Sequence, residues 1–167
     1  MSTQIPHFID GRRTAGGSQR STDVFDPNTG GVQATLPLAN AADVDGAVAS
    51  AAAAQRGWAA QNPQRRARVM MRFINLVNDN IDELAELLSR EHGKTLEDAR
   101  GDIQRGIEVI EFSVGIPHLL KGEHTEGAGP GIDVFSLRQP LGVVAGITRS
   151  TSRDDPAVAG RAGTGLR

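Results

Sequence analysis

Apolar positions along the chain change period twice. Residues 5–39 show short apolar clusters broken by turn residues: Phe8 and Ile9 run into Asp10-Gly11, and Val24-Phe25 into Asp26-Pro27-Asn28-Thr29-Gly30. Asp-Gly is a strong hairpin signal, and the second cluster is a turn by composition. This predicts two or three short strands forming an edge layer, with Pro37 interrupting the loose alternation that begins at Val32.

From Asn40 the period becomes helical. Asn40 can cap, Asp43 stands three residues on, and Val44, Ala47, Val48, Ala51 and Ala54 make a thin stripe of small residues running to about Ala60. Asn62-Pro63 is a second start signal, followed by a broad apolar face of Val69, Met70, Phe73, Ile74, Leu76 and Val77. Arg65, Arg66, Arg68 and Arg72 surround that face and read as a solvated surface. Asn78-Asp79-Asn80 breaks the run, and Ile81, Leu84, Leu87 and Leu88 carry a third helix to Gly93. Thr95 caps a fourth, with Asp98 completing the cap signature. Its apolar residues fall on two lines: Ile103, Ile107, Ile110 and Val114, and Val109, Phe112 and Ile116. A helix apolar on two sides is expected between layers. Pro117 is expected to end it.

Residues 122–131 are Gly-rich and polar, a hairpin or arm, and residues 132–137 alternate as a strand. Residues 141–148, LGVVAGIT, form a continuous apolar run, the pattern of a strand buried on both faces. The order of strands, helices and a buried strand gives an α/β fold class.

Composition then narrows the chemistry. The 167 residues carry a formal net charge of −2, which gives no field for nucleic acid or anionic membranes. No apolar run is long enough to span a bilayer, and the N-terminal stretch lacks a signal-peptide core, so a soluble cytoplasmic protein is the expectation. The chain has no cysteine, which removes disulfides, thiolate metal sites and a cysteine nucleophile. His7, His92, His118 and His124 are scattered without ligand spacing, so no metal site is expected. Gly127, Gly129 and Gly131 precede a strand instead of joining strand to helix, and lack the spacing of a phosphate loop. No convincing catalytic set emerges.

One residue stands out. Extending the second apolar line of the fourth helix one turn upstream reaches Arg105, expected on a partly buried face. Two readings remain open: an internal salt bridge to Glu108 or Asp102, or a receptor for a carboxylate, whose geometry a guanidinium matches.

Several segments together resemble the N-terminal third of an aldehyde dehydrogenase: FIDG at 8–11, DPNTG at 26–30 and REHGKTLEDARGD at 90–102. QRGIEVIEF at 104–112, GIPHLLKGE at 115–123 and RQPLGVVAGIT at 138–148 narrow the resemblance to the CoA-acylating methylmalonate-semialdehyde (malonate-semialdehyde) dehydrogenase branch. The resemblance implies edge strands, helices and the start of a doubly wound NAD-binding sheet over residues 1–148, left incomplete. It implies NAD as cofactor, a semialdehyde and CoA as substrates, and a homo-oligomer built through a β arm. Such enzymes oxidise the aldehyde through a cysteine thioester and release propionyl-CoA or acetyl-CoA in valine and inositol breakdown. The resemblance makes Arg105 the substrate-carboxylate receptor and places Ile147 and Thr148 near the nucleotide.

The family continues beyond this strand with PFNFP, where RSTSR stands here. Deleting one base from CCG TTC AAC TTC gives CGT TCA ACT TCC, which reads RSTS, so residues 149–167 are expected to be a non-family tail read out of frame. The general base and the nucleophilic cysteine of the family are absent from the 167 residues. The chain is therefore expected to be an inactive, truncated member with exposed apolar surface. The alternative is a non-catalytic module that joins full-length subunits through its arm. A basic-tailed nucleic-acid binder is disfavoured, because the tail also carries Asp154 and Asp155 and has no aromatics.

Overall fold

The computed structural model describes residues 3–147. Seven short strands flank a helical body: β1 (Thr3–Gln4), β2 (His7–Ile9), β3 (Arg12–Thr14), β4 (Ser21–Phe25), β5 (Val32–Pro37), α1 (Ala41–Ala60), α2 (Pro63–Asp79), α3 (Ile81–His92), α4 (Leu96–Val114), α5 (Ile116–Leu119), β6 (His124–Gly129) and β7 (Ile132–Phe135).

The N-terminal layer is the predicted edge layer with one more level of order. β4 pairs antiparallel with β5, and β1 adds to the other side of β5 in parallel. β2 and β3 form a separate hairpin whose turn residues, Asp10 and Gly11, both have positive φ, 53° and 70°. That is the backbone sign pattern a tight two-residue hairpin needs, and it explains the Asp-Gly. Pro37 does not break β5; it is its last residue, opposite Ser21, and a strand end tolerates a missing donor.

The helix boundaries follow local chemistry. Asn40 and Asp43 form a full capping box: the Asp43 N–H donates to Asn40 Oδ1 at 2.9 Å, and the Asn40 N–H to Asp43 Oδ2 at 2.9 Å. Asn62 caps α2 by accepting from the Gln64 N–H at 2.8 Å, with Pro63 in the first turn. α3 ends at Gly93, which is left-handed at φ 70°. A Cβ there would also stand 3.1 Å from Pro27 Cγ, so glycine serves both the helix end and the close approach of the β4–β5 turn.

The core is narrow and lies where α4 meets α2 and α3. Ala67, Ala85, Ala99 and Gly106 let the helices approach closely, and Ile107 and Ile110 fill the centre. Arg100 Nε and Nη2 both donate to Asp82 Oδ1, at 3.0 and 2.8 Å, tying α4 to α3. The β layer joins this body lightly, through Gln33 Nε2, which donates to the Arg90 carbonyl at 3.5 Å, and through Pro27 against Gly93.

α1 buries no residue, and its start is fixed by polar contacts. Asp43 Oδ1 also accepts from the Gly17 N–H at 2.8 Å, clamping the loop after β3 to the helix. The hydrogen bonds from Asn40 and Gly17 hold the Asp43 carboxyl below its ordinary value of 3.8, with nearby His7 adding a smaller favourable charge effect. A depressed folded-state pKa gives stability that is present above the unfolded value and lost as pH falls through the folded one. The expected result is a melting temperature that drops below about pH 4 more steeply in the parent chain than in Asp43→Asn; parallel pH profiles for the two would contradict the clamp.

Three expectations are corrected. α4 is buried on one face only: its first line packs, whereas Val109 and Phe112 are exposed, Phe112 by 68%. Among the described residues no layer lies against Val109 and Phe112, whereas Ile116, the third member of that line, is half-buried in α5 beside α2. Pro117 does not end α4; the helix stops at Val114, and Pro117 sits in the first turn of α5, where its missing N–H costs nothing. Residues 141–147 are not a buried strand: they have no ladder partner among the described residues and are exposed throughout. A central strand exists only with neighbours on both edges and layers on both faces.

Candidate functional site

The candidate site is the open stripe of α4. Arg105, Val109 and Phe112 are spaced four and three residues apart, which places them on one side of the helix. All three are exposed, so Arg105 is not on the partly buried face that its spacing predicted. The reason is the same missing layer.

The two salt bridges considered for Arg105 do not form among the described residues. Asp102 is taken by Lys94, which also reaches Asp98 at 3.3 Å. Arg105 is left with no ion pair among the described residues, its guanidinium directed to solvent beside an apolar stripe. Lys94 has a separate job. Its pKa is raised, chiefly by the hydrogen bond from its ammonium to Asp102, and it braces the turn between α3 and α4. Ser89 Oγ donates to the Lys94 carbonyl at 2.6 Å in the same turn. α4 is thus held firmly from its start, and Arg105 stands on a rigid element.

Arg105 and the other residues assigned to the site are not brought together. Ile147 is fully exposed on the unpaired segment 141–147, and Thr148 lies outside the described residues. Gly127, Gly129 and Gly131 belong to the β6–β7 hairpin, where Gly131 supplies a positive φ of 70° for the turn after Pro130. Among the described residues no group of three or more His, Cys, Asp or Glu could hold a metal ion. No helix among them is long and apolar enough to cross a membrane.

One residue was misjudged from the sequence. Arg65, Arg68 and Arg72 are exposed as expected, but Arg66 is half-buried and its Nε is enclosed without an acceptor among the described residues. All four look alike as charges; only the angle around α2 separates Arg66 from the rest.

Mixed helices and short hairpins around α4 define a piece of a larger α/β fold, and comparison with known proteins shows which. Residues 14–149 match the aldehyde dehydrogenase family, and the chain belongs to that family. Among curated relatives, malonate-semialdehyde dehydrogenase of Pseudomonas aeruginosa is 45% identical over 144 residues, covering 86% of this chain and 29% of the relative. A methylmalonate-semialdehyde dehydrogenase structure from Sinorhizobium meliloti, described as putative and complexed with NAD, is 57% identical with a TM-score of 0.91, covering 99% of this chain and 34% of that one. The Oceanimonas doudoroffii methylmalonate-semialdehyde dehydrogenase is 44% identical with a TM-score of 0.79, covering 84% and 28%. The chain therefore spans about a third or less of the length of these relatives.

Proposed function

We propose that residues 1–148 are the N-terminal portion of an NAD-dependent, CoA-acylating dehydrogenase acting on malonate or methylmalonate semialdehyde, and that residues 149–167 are a tail outside the family fold. The observation that carries this reading is Arg105: a guanidinium without an ion pair among the described residues, on the best-anchored helix of a chain similar to malonate-semialdehyde dehydrogenases. A semialdehyde of this class ends in a carboxylate, and a guanidinium binds a carboxylate through two parallel hydrogen bonds. Arg105 thus holds one end of the substrate, while the aldehyde end meets chemistry that this chain does not carry. With no cysteine in its 167 residues, the chain cannot itself form a cysteine thioester. That Ile147 and Thr148 lie near the nucleotide is what the family resemblance implies.

The test uses a chimera in which residues 4–148 replace the equivalent segment of the Pseudomonas aeruginosa relative. Arg105→Leu in that chimera is expected to raise KM for malonate semialdehyde by about tenfold or more, the worth of a charged hydrogen bond, and to leave KM for propionaldehyde unchanged. Equal effects on both substrates would remove Arg105 from carboxylate recognition.

A second reading is favoured by one feature. The β6–β7 hairpin exposes Ile132, Val134 and Phe135, an apolar ribbon suited to strand pairing with another subunit. As an interaction module the chain joins full-length dehydrogenase subunits without catalysing. Mixing it with a full-length relative and finding a mixed oligomer by native mass spectrometry supports that reading; two separate species oppose it.

A further inference from the structure

We propose that the outer face of α4 is a self-association surface, on which a second copy of this chain packs its own α4 antiparallel about a two-fold axis. Gly101, Arg105, Glu108 and Phe112 are spaced four, three and four residues apart. At about 100° per residue they share a wedge of about 60° around the helix. All four are exposed, on the side of α4 opposite the buried Ala99, Gly106, Ile107 and Ile110, which face α2 and α3. Phe112 is the most open of the large apolar residues on α4, and a Cβ built on Gly101 meets nothing within 4 Å. Glu108, like Arg105, has no ion pair among the described residues.

The occupant follows from the order of these residues. They stand symmetrically about the height between Gly106 and Ile107, with Arg105 and Glu108 close to it and Gly101 and Phe112 equally far on either side. Laid antiparallel on itself at that height, α4 sets each Arg105 against the partner's Glu108 and each Phe112 over the partner's Gly101. The charges match twice over, which an isologous contact needs, since one patch must fit itself. A parallel arrangement fails, because it sets Arg105 on Arg105 and Glu108 on Glu108. The pairing also gives Gly101 a reason. Glycine in mid-helix costs stability, and nothing within the chain presses on this one. A ring arriving from another helix needs the space a Cβ would take, because packed helix axes stand only about 8–10 Å apart. The two charged pairs lose part of their hydration at the centre, so they select the register more than they tighten the contact. From Gly101 to Phe112 the face runs about 16 Å. A patch of that length is smaller than a stable dimer needs, so the association is weak, with Kd on the order of 100 μM. It concerns the 167-residue chain as it stands and goes beyond the substrate reading of Arg105, whose test is turnover of the chimera.

Sedimentation velocity on the full 167-residue chain, over roughly a hundredfold concentration range around that Kd, is the test. The expected result is a monomer–dimer equilibrium that weakens at least about threefold on going from low salt to half-molar salt, as screened charge pairs do. Arg105→Glu and Glu108→Arg each set like charges face to face, and each should weaken the dimer at least about tenfold. Mixed in equal amounts, these two variants should pair with each other at about the parent strength, because one face is then all acidic and the other all basic. Gly101→Leu fills the seat of the partner's Phe112 and should weaken the parent dimer at least about fivefold. Circular dichroism checks that each variant is folded; should a charge variant not fold, Gly101→Leu decides. A chain that stays monomeric throughout overturns the proposal. So does a dimer that the folded variants leave unchanged, the result expected if the β6–β7 arm or residues 141–147 make the contact, and so does failure of the two folded charge variants to pair.

Discussion

Ile110→Ala is expected to remove about 2–5 kcal/mol of stability, the usual cost of truncating a fully buried aliphatic side chain. Domains of this kind have only about 5–15 kcal/mol in total, so the variant should be largely unfolded at temperatures where the parent melts only slightly. Ile110 is the largest fully buried side chain, at 2% exposure, and it sits where α4 crosses its neighbours. Phe112→Ala is the internal control. It lies two residues away on the same helix, but it is mostly exposed, and its removal should cost within about 0.5 kcal/mol. Urea unfolding followed by circular dichroism separates the two; similar losses would mean that α4 buries its second line after all.

Gly122→Ala should release the β6–β7 arm while leaving the helical body folded. A Cβ on Gly122 would stand 1.9 Å from the Ser136 carbonyl oxygen, far inside any tolerable contact, and the obstacle is backbone, which cannot rotate away. The strands must part at their base. That breaks the Ser136 N–H to Glu123 carbonyl bond and the Glu123 N–H to Ser136 Oγ bond, both 2.9 Å. Two lost hydrogen bonds at about 1 kcal/mol each, plus the strain of overpacking, come to about 3 kcal/mol at the arm base. An isolated two-stranded hairpin has no such reserve. Amide exchange should accelerate over residues 123–136 and stay unchanged in α2, α3 and α4. Unchanged protection in the arm would show that its base opens without cost.

The contrast between these sites shows what a single sequence can reveal. Asn40, Asn62-Pro63, Thr95 and Gly93 were readable because a cap is made by residues within a few positions of each other. Asp10-Gly11 was readable because the turn needs positive φ at adjacent positions. Residues 141–147 and the Val109–Phe112 line were misjudged because apolar patterning records what a segment is suited to pack against, not whether that layer is present among the described residues. Pro117 was misjudged because a proline that cannot continue one helix can open the next. Arg66 was hidden among four similar arginines, since the direction of a side chain around α2 depends on where α4 and α5 pass. Arg105 was legible as a candidate by spacing, and its lack of an ion pair became visible only once Asp102 was found with Lys94.

The central proposal is that this chain carries the family's N-terminal portion, with Arg105 as a carboxylate receptor, and that its 167 residues, which include no cysteine, do not catalyse the reaction alone. NADH formation by the purified 167-residue chain, with malonate semialdehyde, CoA and NAD, tests it most directly. The expected result is no absorbance gain above the protein-free rate, under conditions where the chimera with the Pseudomonas aeruginosa relative turns over. Turnover that copurifies with the 167-residue chain, and that scales with its concentration, would contradict the account.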